Sequence, residues 1–226
     1  MIPLRDDIDS ETYPFVNWAL IAINAYIFYL ELKAGKSTGL QHFINKWGVI
    51  PVHLFHDPKI YWYSLVTAAF VHGGWMHIIG NMLFLYIFGR NVEDRMGHLK
   101  YLIFYLLVGM IANGTQAYLS ATSKLPLVGA SGAIAGVLGC YFFYYPYARI
   151  MTLITFGFFT RIIEVPAFIF LGIWFLLQTL NSTAFLAAQS SIHQATGGVA
   201  WIAHASGFVA GLIMAPFFGE QRDRFK

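Results

Sequence analysis

The chain has 226 residues, 58% of them hydrophobic and 11% charged, with a formal net charge of +3. Soluble domains carry about 25% charged residues, so this composition excludes an ordinary soluble globule and implies a membrane protein with room for several spans of about 20 residues. No basic run resembles a nucleic-acid patch, which sets that partner aside, and the single cysteine, Cys140, cannot close a disulfide within the chain.

The first dozen residues hold Asp6, Asp7, Asp9 and Glu11 against Arg5, unlike the positive start of a secretory signal. Six apolar segments follow, at about residues 14–32, 71–89, 101–119, 128–147, 165–180 and 198–218. Each approaches the length a spanning helix needs at about 1.5 Å per residue. Backbone groups in lipid must find partners within their own segment, so all six are expected to be helices. The alternating pattern of a membrane barrel is missing. The loop at 33–64 is too polar to span and is rich in His42, Phe43, Trp47, His53, Phe55 and Trp62. Such rings favour the membrane–water interface, so short helices lying in the headgroup layer are expected there. The fold class predicted is an all-α membrane protein, a bundle of six transmembrane helices forming one domain, 1–226. With the N-terminus inside, nine of the 14 Lys and Arg fall in inner segments and five in outer ones, which favours a cytoplasmic N-terminus. The eleven acidic residues are expected outside the apolar cores, with Glu93 and Asp94 at the inner end of the second segment.

Polar groups inside spans are costly and mark functional sites. His77 and Asn81 lie early in the second segment, Ser131 just inside the fourth and His204 early in the sixth. All three segments run inward in this orientation, so the four residues share a depth of about 5–12 Å below the outer edge at the helical rise. Gly132 and Gly136 repeat at i, i+4 beside Ser131, and Gly207 and Gly211 do so beyond His204. Small residues at that spacing let helix backbones approach closely. If those faces meet, Ser131 and His204 come within reach.

A serine hydroxyl needs an adjacent base to become a nucleophile, and imidazole suits that task. With no acid expected in an apolar core, the chemistry predicted is a Ser131–His204 dyad. Two embedded carboxylates for an aspartyl mechanism are absent, and His53-Leu-Phe-His56 lacks the glutamate of a zinc helix, so no metal and no cofactor are expected. His77 and Asn81, four apart on one helix face, are candidate donors to an oxyanion, with the Ser131 backbone N–H at a helix N-terminus. His72 stands at the mouth of the second segment as a candidate structural hydrogen-bonder.

At these residues the chain resembles the rhomboid family of intramembrane serine proteases. Gly129-Ala130-Ser131-Gly132 matches the family's Gly-x-Ser-Gly, His204 with Gly207 and Gly211 matches its base and glycine-rich helix, and His72-x4-His77-x3-Asn81 matches its second span. Val92-Glu93-Asp94-Arg95-Met96-Gly97 resembles the Glu-x-Arg-x-Gly stretch that follows. The resemblance implies a serine at the foot of a water-filled cavity, oxyanion binding by Asn81 and His77, and structural roles for Glu93 and Arg95. It implies cleavage of single-pass membrane proteins within the lipid bilayer, with Trp174 and Phe175 as gate candidates and the loop at 181–197 as a cap. Some family members carry a tyrosine four residues after the serine, on which the base ring stacks. Here that position is Ala135, so another group must orient His204. The alternative reading is a catalytically inactive relative that binds membrane clients. A bacterial plasma membrane is the expected location, for want of a transit peptide.

Overall fold

A computed structural model describes residues 1–35, 38–156, 159–189 and 201–219. A short strand β1 (Ile2–Asp6) leads to helix α1 (Phe15–Ala34). Short helices α2 (Thr38–Trp47), α3 (Pro51–His56), α4 (Pro58–Tyr61) and α5 (Ser64–Thr67) then carry the chain to a 3-10 turn at Ala68–Phe70. The next helix is built from α6 (Trp75–Phe84), a π turn at Leu85–Gly89 and α7 (Arg90–Met96); α8 (His98–Leu119) and α9 (Ser131–Tyr144) follow. Strands β2 (Arg149–Phe156) and β3 (Phe159–Pro166) form a hairpin before α10 (Ala167–Gln189) and α11 (Trp201–Phe218).

Each of the six apolar segments thus carries a helix, and the molecule is a helical membrane bundle. Among the described residues α1, α8 and α11 are long and apolar enough to cross a bilayer, and the helix from Trp75 to Met96 does so when joined to Ser64–Phe70, at a 95° bend. Gly73 and Gly74 sit at that bend, so the second helix begins at Trp75 rather than near residue 71. The apolar stretch Ala167–Leu180 of α10 and all of α9 are shorter. At the helical rise, the 14 residues of α9 reach about 21 Å, against a hydrocarbon core of about 30 Å. A helix that short cannot meet both interfaces, so an end of it lies sunken.

Every residue of α9 from Gly132 to Tyr141 is buried. Its surroundings are Leu85, Phe88, Phe104, Val108 and Phe208, all buried in one apolar core. Large apolar side chains on the outward faces, such as Trp18, Tyr26, Ile103 and Ile213, are exposed, as suits a helix whose solvent is lipid.

The sequence reading did not anticipate the sheet. β1, β2 and β3 pair antiparallel in that order, with Ile2 opposite Leu153 and Ile150 opposite Val165. The sheet therefore places the N-terminus and the α9–α10 connection on one side of the bundle. Asp6 anchors it, accepting hydrogen bonds from Arg90 (2.6 Å), Asn91 (2.5 Å) and the Tyr141 hydroxyl (2.8 Å).

The expectation that acids stay outside the apolar cores is overturned. Glu31 is 2%, Asp6 6% and Glu93 0% exposed. Each accepts hydrogen bonds that offset its removal from water, as buried carboxylates require. Glu93 takes the free backbone N–H groups of Val16 and Asn17 (2.9 and 2.7 Å) at the start of α1, and its oxygen lies 2.5 Å from His98 Nδ1.

Candidate active site

The polypeptide reaches α9 in an extended conformation. Leu127 and Val49 exchange backbone hydrogen bonds of 2.8 and 3.0 Å, and the Gly129 N–H donates to Ala68 O at 2.9 Å. Gly129 has φ +127°, and a Cβ there would lie 2.6 Å from two atoms of the His77 ring. Only glycine satisfies both demands. Ser131 is the first residue of α9.

The four small residues flagged in the sequence bring α9 and α11 together. A Cβ on Gly207 would strike the Gly132 carbonyl, and one on Gly211 would strike the backbone of Gly136. Side chains on Gly132 and Gly136 would run into Ala112 and Val108 of α8, so α9 is gripped from two sides. The first turn of α11 is further fixed by Gln116 of α8, whose Oε1 accepts the Ala203 N–H at 3.2 Å.

This close approach sets Ser131 Oγ 2.7 Å from His204 Nε2. The other ring nitrogen, Nδ1, lies 2.8 Å from Oε1 of Gln178 on α10. Trp174 lies tilted by 32° against the imidazole with centroids 6.0 Å apart, and Trp201 meets it edge-on at 6.1 Å. His204 itself is buried. A cavity of about 930 Å³ opens above, lined among others by His77, Asn81, Ser131, Trp174, Trp201 and His204.

On the opposite wall, Asn81 Nδ2 is 3.0 Å from His72 Nε2. The amide nitrogen can only donate, so Nε2 accepts. The His72 backbone N–H donates in turn to Glu31 at 3.0 Å, and the His72 and His77 rings meet edge to face at 5.2 Å. Glu93 and Arg95 lie away from the cavity. Glu93 caps α1, and the Arg95 guanidinium sits 5.4 Å over the Tyr144 ring. Trp174 and Phe175, the gate candidates, pack on α11, where Phe175 stacks on Phe208 at 4.7 Å. Of the expected cap at 181–197, positions 190–197 lie outside the described residues. Among the described residues, no cluster of three or more His, Cys, Asp or Glu could hold a metal ion.

Sequence reasoning missed two members of this site. Gln178 is a polar residue in an apolar segment, the same signal that singled out Ser131. Glu31 ends the first apolar run two residues before Lys33, so it looked like a boundary rather than a buried group.

Fold and site together define an integral membrane protein of several helices, with a hydroxyl set against an imidazole in a sunken cavity. The chain belongs to the rhomboid family: the family model described as Rhomboid domain matches residues 59–221. It is similar to "Rhomboid-like protein 11, chloroplastic" of Arabidopsis thaliana, 38% identical over 97 residues, covering 43% of this chain and 34% of the relative. It is 35% identical over 83 residues to "Putative rhomboid protease YdcA" of Bacillus subtilis, covering 36% and 41%. To "Rhomboid protein 1, mitochondrial" of Saccharomyces cerevisiae it is 26% identical over 200 residues, covering 87% and 51%. The matches thus span about a third to a half of these relatives' own lengths. Chloroplast, bacterial and mitochondrial proteins all occur among them, so they do not favour the expected bacterial plasma membrane over an organelle.

Proposed function

We propose that the chain is an intramembrane serine endopeptidase that cleaves transmembrane segments of single-pass membrane proteins, with Ser131 as nucleophile and His204 as base. The observation that carries this reading is the 2.7 Å contact between Ser131 Oγ and His204 Nε2 at the foot of the cavity. A hydroxyl that donates to a bare ring nitrogen is poised to lose its proton as it attacks a carbonyl carbon. His204 then returns that proton to the leaving amine, and water releases the acyl group by the same route in reverse.

Attack builds negative charge on the carbonyl oxygen. Asn81, with one amide hydrogen on His72 and a second facing the cavity, is one donor to that charge. His77 and the Ser131 backbone N–H complete the set, and fixed donors of this kind account for much of such catalysis. Gly129 keeps the space between His77 and Ser131 open. The short reach of α9 explains how water gets to a bond within lipid. No metal or cofactor takes part. The N-terminus faces the cytoplasm, a placement supported by the Lys and Arg bias, and the sheet puts the α9–α10 connection on the same side.

The test is to incubate the purified protein with a panel of single-pass substrates and with a fluorophosphonate probe. Cleavage and labelling that both vanish in Ser131→Ala are expected. A wild-type protein that neither cleaves nor takes the label would instead support the inactive, client-binding reading.

A further inference from the structure

With Ala135 where a stacking ring could stand, the imidazole of His204 has to be fixed from elsewhere, and the contacts come from α10. Gln178 Oε1 meets Nδ1 at 2.8 Å, and Gln178 is only 8% exposed. An amide oxygen can only accept a hydrogen bond, so Nδ1 carries the hydrogen of the neutral ring. A neutral imidazole has one such hydrogen, which leaves the lone pair of Nε2 aimed at Ser131 Oγ. The other tautomer would place a hydrogen on Nε2 and leave no base.

We infer that Gln178 is the positioning residue for His204, filling with an uncharged amide the place that an aspartate takes in a Ser–His–Asp site. This inference rests on the protease reading above. The surroundings explain the choice of group. A carboxylate on a lipid-embedded helix is costly unless it is paired, whereas an amide accepts from Nδ1–H with no charge to compensate. An amide dipole steadies the transient imidazolium less than a full charge does. The Trp174 ring adds to it, since aromatic faces attract cations within about 6 Å and its centroid lies 6.0 Å from that of the imidazole. Gln178 therefore selects the tautomer and the ring angle, and the tryptophans fill the space around them.

The experiment compares wild type, Gln178→Leu and Gln178→Glu in liposomes, with thermal unfolding as a control. It reads three things: the 15N resonances of the His204 ring, the rate of Ser131 labelling by a fluorophosphonate, and kcat and KM on a single-pass substrate. The wild-type ring is expected to hold its hydrogen on Nδ1. Gln178→Leu should give a mixture of tautomers and lower labelling and kcat about 10- to 100-fold, as for loss of one buried hydrogen bond, with KM within about twofold. A carboxyl keeps an accepting oxygen in either protonation state, so Gln178→Glu should recover most of the rate. The inference is overturned if the wild-type ring carries its hydrogen on Nε2, a result that needs no variant to fold. It is also overturned if Gln178→Leu labels at the wild-type rate, or if Gln178→Glu is as impaired as Gln178→Leu. Wild-type protein that shows the Nδ1 tautomer but takes no label would sink the protease reading and leave the positioning contact standing.

Discussion

Asn81 is oriented by a relay that begins on α1. Glu31 holds the His72 backbone, and the His72 ring accepts from Asn81. Under the proposed mechanism, Asn81→Ala should lower kcat about 10- to 1000-fold, the range for loss of one oxyanion donor. An unchanged kcat would reassign Asn81 to helix packing. Since His72 acts through Asn81, His72→Ala should reproduce part of that loss, and the double variant should be no slower than Asn81→Ala alone. Losses that multiply in the double variant would break the relay. Ser131, His204, His77 and Asn81, which line one cavity, were legible in the sequence as candidates because each interrupts an apolar run. Glu31 was not, because a polar residue that ends an apolar run reads as a boundary, and Gln178 was not, because no motif or small-residue stripe tied it to the others until the fold set it beside His204.

At the scale of the elements, the α9–α11 contact was legible from Gly132, Gly136, Gly207 and Gly211, since a four-residue repeat of small side chains makes one smooth stripe. What no spacing conveys is the third partner, α8, whose Ala112 and Val108 close the other side. Gly211→Val would drive a branched side chain into the Gly136 backbone, which cannot yield as a flexible side chain can. A loss of about 1–3 kcal/mol is expected, the usual scale of overpacking, read as a lower unfolding temperature in detergent with activity falling in parallel. Gly172 offers the control. A Cβ there meets nothing within 4 Å, so Gly172→Ala should leave the unfolding temperature unchanged or raise it, by up to about 1 kcal/mol of helix preference. Equal damage from both substitutions would remove close packing as the cause.

On the scale of the whole molecule, the sheet fixes topology. Strand β1 pairs with β2 from far along the chain, Ile2 standing opposite Leu153, and such pairing leaves no local trace. The run from Ile150 to Thr155 falls between the fourth and fifth apolar segments and lacks the period-2 alternation of a strand. Cysteines introduced for Met1 and for Tyr147, which is 82% exposed, should be modified by a membrane-impermeant reagent from the same side of sealed vesicles. Modification from opposite sides would refute the pairing. Asp6→Ala should strand Arg90, Asn91 and Tyr141 without their shared acceptor, at about 1–3 kcal/mol for the unsatisfied groups, and speed proteolysis of the first residues. The buried carboxylate of Glu31 has a wider implication. The match to the family model begins at residue 59, yet Glu31, Asn17 (whose Oδ1 accepts from the Tyr101 hydroxyl at 2.8 Å) and Asp6 all precede it. A fragment trimmed to that stretch would keep Ser131 and His204 but lose the hidden carboxyl that holds the His72 backbone behind Asn81, so under the proposed mechanism it should turn over more slowly than the whole chain.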